Sequence, residues 1–153
     1  MHTYKIIRMK PKIYFACSIR GGRENAHIYG GLVASIKENA EVLSEIFAEQ
    51  SLTPAGMSRA STEIYKKDIA WIHEADAIIA EATTPSLGVG YEIATAEALH
   101  KPVLVLFKNS ERKLSAMIDG SPLSTVVYYT DLAEAKQAIR DFIVIIQPQS
   151  VNT

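Results

Sequence analysis

The chain has 153 residues, 48% hydrophobic and 22% charged, and its 16 basic and 17 acidic side chains leave a net charge of −1. This is one domain with room for a real core, too apolar and too nearly neutral for a disordered chain, and without the positive field that draws a nucleic acid or an anionic membrane. No apolar run approaches the ~20 residues of a membrane span, the first ten residues lack the apolar core of a signal peptide, and the one cysteine, Cys17, excludes an internal disulfide and a cysteine-only metal site. A soluble, cytoplasmic protein is expected.

Residues 1–11 read as an N-terminal extension. Lys12 to Cys17, rich in Ile, Tyr and Phe, predicts a strand, and Ser18 to Asn25 a Gly/Arg loop. Ala26 to Asn39 predicts a helix weakened by Gly30 and Gly31, each costing ~1 kcal/mol against Ala. Glu41 to Ile46 predicts a short strand or a less regular segment, and Gln50 to Ala60, with Pro54 and Gly56, a loop. A helix over Thr62 to Ala75 precedes a buried strand over Ala77 to Ala82. A turn-rich loop from Thr83 to Gly90 then leads to a helix over Tyr91 to His100. Pro102 to Phe107 predicts a buried strand, Asn109 to Gly120 a loop with one helical turn at Ser115 to Ile118, and Thr125 to Tyr129 a last strand. Asp131 to Ile145 closes the domain as a helix, with Asp131 and Glu134 spaced as a capping box. Residues 147–153 read as a flexible tail.

Strands alternating with helices predict parallel strands joined by right-handed crossovers. The expected fold is therefore a single α/β domain, a flavodoxin-like doubly wound sheet of five parallel strands in the order 2-1-3-4-5. Such sheets bind ligands beyond the carboxyl ends of their strands, at the switch point. That singles out the loops after Cys17 and after Ala82.

The first loop, Ser18-Ile19-Arg20-Gly21-Gly22-Arg23, offers a hydroxyl, two guanidiniums and glycines that admit a ligand close to the backbone. Strand, glycine loop and helix start form a phosphate cradle, or an ordinary solvated turn. In the second loop, Ser86 and the amides near Gly88 can hold another face of the same anion. Glu92 is placed in or near the first turn of the following helix, on the side of Thr95 and Leu99, where the helix dipole favours its charge. It is either a cleft carboxylate or a residue that merely complements the dipole. On the helix before, ~100° steps put Asp68 in an apolar stripe between Ile64 and Ile72. A carboxylate there costs several kcal/mol unless paired or protonated, so it caps a loop, pairs an arginine or lines a pocket. Two carboxylates at one cleft are the minimal machinery of retaining glycoside cleavage. Tyr14, on the first strand, is a core tyrosine or the donor of a hydroxyl to that site. The four histidines show no metal-ligand spacing, Cys17 reads as a packed thiol and Trp71 as a core or interface anchor. The apolar stretch Leu114 to Ile118 fits an oligomer interface.

Three of these segments in this order, YFACSIRGGRE at Tyr14 to Glu24, the Asp68 helix ending in Asp76, and SLGVGYE at Ser86 to Glu92, resemble the 2′-deoxynucleoside 5′-monophosphate N-glycosidases of the nucleoside 2-deoxyribosyltransferase superfamily. LSAMI at Leu114 to Ile118 matches a fourth segment. The resemblance runs from Lys12 to Phe142. It implies hydrolysis to a free base and 2-deoxyribose 5-phosphate, with Glu92 as nucleophile, Asp68 assisting the base and Tyr14 orienting the nucleophile. It implies phosphate binding by Ser18, Ile19, Arg20, Gly21, Ser86 and Gly88, with Ser115 lent by the partner of a homodimer. It implies no metal and no organic cofactor. Cys17 stands where members often have glycine, and Ile46 where mammalian members have histidine. The rivals are a deoxyribosyltransferase, a ribonucleotide (CMP-type) N-glycosidase, and a nucleotide-binding module without turnover.

Overall fold

The computed structural model describes residues 9–49 and 60–147. Most of the predicted extension, most of the Gln50 to Ala60 loop and all of the tail beyond Gln147 lie outside the described residues. Five strands form one sheet in the order β2-β1-β3-β4-β5, every pairing parallel. They are β1 (Lys12–Cys17), β2 (Glu41–Val42), β3 (Ala77–Glu81), β4 (Val103–Lys108) and β5 (Ser124–Tyr129). The helices are α1 (Ala26–Lys37), α2 (Ser61–Glu74), α3 (Leu87–Ala98), the single turn α4 (Ala116–Asp119) and α5 (Leu132–Ile146). The predicted architecture and strand order are those observed.

The central strands β1, β3 and β4 are buried almost throughout, because helices cover both faces of the sheet. Each fully buried isoleucine, such as Ile78 or Ile79, contributes ~1.5–3 kcal/mol relative to exposure. Right-handed crossovers place α1 on one face and α2 with α3 on the other, and α5 packs on α1. The pleat shows it directly. Phe15 meets Tyr29 of α1 edge to face at 6.1 Å, whereas Tyr14, one residue earlier, reaches α3.

Three local expectations are corrected. The second strand has only two residues and gives way to a 3-10 turn over Glu45–Ala48, which seats Phe47 in the core at 2% exposure. The helix expected from Tyr91 starts at Leu87, so the second loop ends at Ser86. Its glycines suggested a loop. The Ser86 hydroxyl, however, accepts the Val89 N–H at 3.3 Å and caps the helix, and Val89 and Ile93 pack into the core. Glu92 consequently lies in the second turn of α3, where the dipole has largely faded. The α5 start follows the capping-box expectation in part. Asp131 accepts the Glu134 N–H at 2.9 Å, but Glu134 reaches back to Thr130 N rather than to Asp131 N.

Candidate active site

The site is built at the carboxyl ends of β1 and β3, the switch point of the sheet. A cavity of about 430 Å³ opens there. Its lining takes Ile19, Arg20 and Gly21 from the first loop, Ser86 and Gly88 from the second, and both carboxylates, Asp68 and Glu92. Residues separated by some seventy positions in the chain thus share one space. Cys17, Phe47, Ile64, Leu87 and Val89 complete the wall.

Glycine is needed where the two loops touch. A Cβ on Gly21 would fall 2.5 Å from the Pro85 carbonyl oxygen and 2.9 Å from Ser18 Oγ, so only a bare backbone lets the loops approach this closely. Gly22 adopts φ +124°, a conformation that L side chains rarely take. Ser18 is fully buried, and its hydroxyl has no hydrogen-bond partner among the described residues. Arg20 is exposed at the rim. The two arginines of this loop differ. Arg23 turns inward and donates to the carbonyls of Phe47 at 2.8 Å, Glu49 at 2.5 Å and Ser18 at 3.3 Å, with its guanidinium over the Tyr29 ring. It braces the 3-10 turn against the first loop.

The carboxylates sit on facing helices. Tyr14, fully buried beneath the cavity, donates its hydroxyl to Glu92 Oε1 at 2.8 Å. Burial pushes the Glu92 carboxyl up to about 8; the Tyr14 bond pulls it down and the Asp68 charge pushes it up. Burial likewise raises Asp68 to about 6, against the pull of Lys67, and its Oδ1 is buried without a partner among the described residues. The Tyr14 hydroxyl is held well above its ordinary value, by burial first and then by the Glu92 and Asp68 charges, so it remains a donor. The Cys17 thiol, 5% exposed, is pushed by burial up to about 12 and stays protonated, as expected of a packed thiol. Chemically the arrangement offers two facing carboxyl groups, one of them oriented by Tyr14, that together carry about one proton near neutral pH, and a glycine-lined pocket with a guanidinium at its rim.

Ser115 does not line this cavity. It stands just before α4, without a side-chain bond to the helix start, and lines a neighbouring hollow of about 660 Å³, with Met117 85% exposed. Trp71 is half-buried and packs edge to face on Phe47 at 6.1 Å. His27, His73 and His100 are exposed, and His2 lies outside the described residues. Among the described residues no group of three His, Cys, Asp or Glu side chains is placed to hold a metal ion, and no helix is long and apolar enough to cross a membrane. Sequence reasoning missed Phe47 and Ile64 as wall residues. Ile64 carries the periodicity of an ordinary core position and Phe47 lies in a segment that follows no period, and only the fold turns them toward the cavity.

The nucleoside 2-deoxyribosyltransferase family model matches residues 13–138. A 5-hydroxymethyl-dUMP N-hydrolase of Mus musculus is 44% identical over 125 residues, covering 80% of this chain and 72% of the relative. Its namesake in Tetraodon nigroviridis is 39% identical over 136 residues, covering 86% and 96%. Among solved structures, a CMP N-glycosidase of Clostridium botulinum superposes with a TM-score of 0.64 over 86% of this chain and 98% of its own. At 18% identity that is a likeness of fold. A family match along most of the domain, and relatives this similar over four-fifths of the chain, agree with the strand order and with the segments at the switch point: the chain belongs to the nucleoside 2-deoxyribosyltransferase family.

Proposed function

We propose that the protein hydrolyses the N-glycosidic bond of 2′-deoxynucleoside 5′-monophosphates, releasing a free base and 2-deoxyribose 5-phosphate. One observation carries this. A single cavity joins two carboxyl groups of raised pKa to the glycine loops and guanidinium suited to a phosphate. The names of the relatives, hydrolases of a deoxynucleoside monophosphate, support the same substrate class.

Tyr14 holds one oxygen of Glu92, and the other attacks C1′. The C1′–N bond breaks as Asp68 gives its proton to the departing base. Water then attacks C1′ of the glycosyl–Glu92 ester, its hydroxyl going to the sugar, its proton to Asp68, and the ester electrons back to Glu92. In the free protein Asp68 ionises before Glu92, so near pH 7 the pair carries about one proton. The reactive form has that proton on Asp68.

Ser18, Ile19, Arg20 and Gly21 grip the phosphate from one side, and Ser86 and Gly88 from the other. The buried Ser18 hydroxyl would gain its partner in the phosphate. Among the described residues a Cβ at Gly88 would meet only Ser86 Oγ, at 3.7 Å, so their packing does not explain a helical glycine costing ~1 kcal/mol. Ligand approach does. Ser115 completes the site from the partner of a homodimer, whose contact includes the exposed Leu87, Tyr91 and Met117. We place this dimer in the cytoplasm, without metal or organic cofactor.

The test is kcat/KM for base release from a deoxynucleoside and its 5′-monophosphate. Charge-assisted bonds to phosphate are worth ~1.5–3 kcal/mol each, and several of them hold C1′ against Glu92. The monophosphate should react at least ~10³-fold better, equivalent to ~4 kcal/mol, and Arg20→Ala should narrow that gap. Equal values would overturn the phosphate assignment and favour a nucleoside deoxyribosyltransferase.

A further inference from the structure

Glu81 is the last residue of β3 and is fully buried. The register pairs it with Cys17 on one side and Leu106 on the other. Glu81 and Tyr14 stand on opposite faces, so Glu81 points to the α1 side, away from the cavity. The sheet itself does not ask for a charge here. Burying one costs several kcal/mol unless it is engaged or protonated.

What engages it is the second loop. Oε1 accepts the Thr83 hydroxyl in a very short bond, the Thr83 N–H at 3.3 Å and the Tyr129 hydroxyl at 3.1 Å. Oε2 is buried without a partner among the described residues, and burial raises the carboxyl above its ordinary value. The Thr83 oxygen in turn accepts the Lys108 N–H at 2.8 Å, which fastens the turn to the end of β4. Thr84, 2% exposed, accepts Asn25 Nδ2 at 3.2 Å, which fastens the turn to the start of α1. With both threonines fixed, the Pro85 carbonyl rests against Gly21, and Ser86 is delivered to cap α3. The phosphate-facing parts of both loops are thus referred back to one carboxyl group beneath them.

We propose that Glu81 is a positioning residue for the phosphate site: from the closed face of the sheet it fixes the turn from Thr83 to Ser86, and through that turn the gap between the two loops. The assignment rests on the phosphate role given above to those loops. Glu81 does not line the cavity and acts through Thr83.

The experiment compares the parent with Glu81→Leu, Glu81→Gln and Thr83→Val. It measures binding of 2-deoxyribose 5-phosphate and of inorganic phosphate by calorimetry, and kcat/KM on a deoxynucleoside and its 5′-monophosphate. The Glu81→Leu and Thr83→Val variants should bind the sugar phosphate at least ~10-fold more weakly, equivalent to ~1.4 kcal/mol. They should lose at least ~5-fold more kcat/KM on the monophosphate than on the nucleoside, whereas a merely structural loss would lower both alike. Glu81→Gln keeps an acceptor where Oε1 lies and should restore binding to within ~3-fold, that is, within ~0.7 kcal/mol. Parent-like binding in both Glu81→Leu and Thr83→Val, or equal losses on the two substrates, would overturn the proposal. So would a Glu81→Gln variant as weak as Glu81→Leu, since that would make the charge, not the placed acceptor, the requirement. Should Glu81→Leu fail to fold, Thr83→Val decides. If the parent cleaved no monophosphate at all, the enzymatic reading would fail while the binding data still judged Glu81.

Discussion

Glu92 and Glu81 are two carboxyl groups raised by the same cause and put to opposite uses. Burial is the largest influence on both. Glu81 lies on the sealed face, where two donor groups of Thr83 and one of Tyr129 converge on a single oxygen. Glu92 lies on the open face, takes one hydrogen bond, from Tyr14, and borders a cavity. The difference teaches that burial alone does not mark a reactive group. A buried carboxyl that gathers the donors around it organises its neighbours; one that borders a cavity is held ready for a bond the protein does not supply.

The largest effect is expected at Glu92. Glu92→Gln keeps an oxygen for the Tyr14 hydroxyl but removes the nucleophile. Base release should fall by at least ~10³-fold, each factor of ten being ~1.4 kcal/mol. The same change should stabilise the fold, with a definite pH dependence. The Glu92 carboxyl rises from 4.5 to about 8 on folding. Between those values the native state holds a proton that the unfolded chain has released, so parent stability falls as pH rises through this window. Glutamine feels no such loss. The variant should match the parent below pH 4.5 and exceed it by on the order of 5 kcal/mol at pH 9. Denaturant melts at the two pH values check this, and a variant no more stable at pH 9 would return Glu92 to the class of structural carboxylates.

Tyr14→Phe sharpens the contrast at smaller scale. The Tyr14 bond favours the charged form of Glu92. Its removal should push that carboxyl above about 8 by roughly one pH unit, the worth of a ~1.5 kcal/mol bond to a charged group. A nucleophile must be ionised while Asp68 keeps its proton, so the acid limb of kcat/KM follows the lower value of the pair and stays, and the alkaline limb, which follows Glu92, should move up by that unit. The rate at pH 7 should drop about tenfold, and the deficit against the parent should shrink as the pH is raised through the Glu92 titration. An unmoved alkaline limb would show that Tyr14 packs beneath Glu92 without tuning it.

How much of this was open to reading in the chain follows the range of the interactions. The strand order was legible because β1, β3 and β4 are apolar runs separated by helical periods. Asp68 stood out because a carboxylate in an apolar stripe breaks the local pattern, and Glu92 because it follows SLGVGY. The start of α3 was misread because Gly88 and Gly90 resemble loop, and the balancing terms, the Ser86 cap and the burial of Val89 and Ile93, are non-local in part. Phe47 was hidden because the short β2 and the 3-10 turn after it follow no period. Glu81 gave no sign at all. In AEATT it reads as the polar end of a strand, and its meaning lies in Tyr129 and Lys108, far along the chain.

The smallest expected effect lies on the sealed side. Tyr129, 1% exposed, gives its hydroxyl to Glu81 Oε1 at 3.1 Å. Tyr129→Phe removes that donor without leaving the oxygen empty, since Thr83 still supplies two. The cost should be ~1 kcal/mol, the ordinary net worth of a hydrogen bond, rather than the larger cost of an orphaned charge. The Tyr129 bond also holds the Glu81 carboxyl down against the lift of burial. Losing it raises that carboxyl further, so native Glu81 keeps its proton to higher pH than in the parent. The extra proton makes the variant's stability fall more steeply as pH rises, and the deficit should be larger at alkaline than at acid pH. The alkaline limb of kcat/KM belongs to Glu92 on the other face and should stay where it is. Urea melts at acid and at alkaline pH, set beside one pH–rate profile, separate the two carboxyl groups. A shifted limb in Tyr129→Phe would mean that they titrate as one system across the sheet.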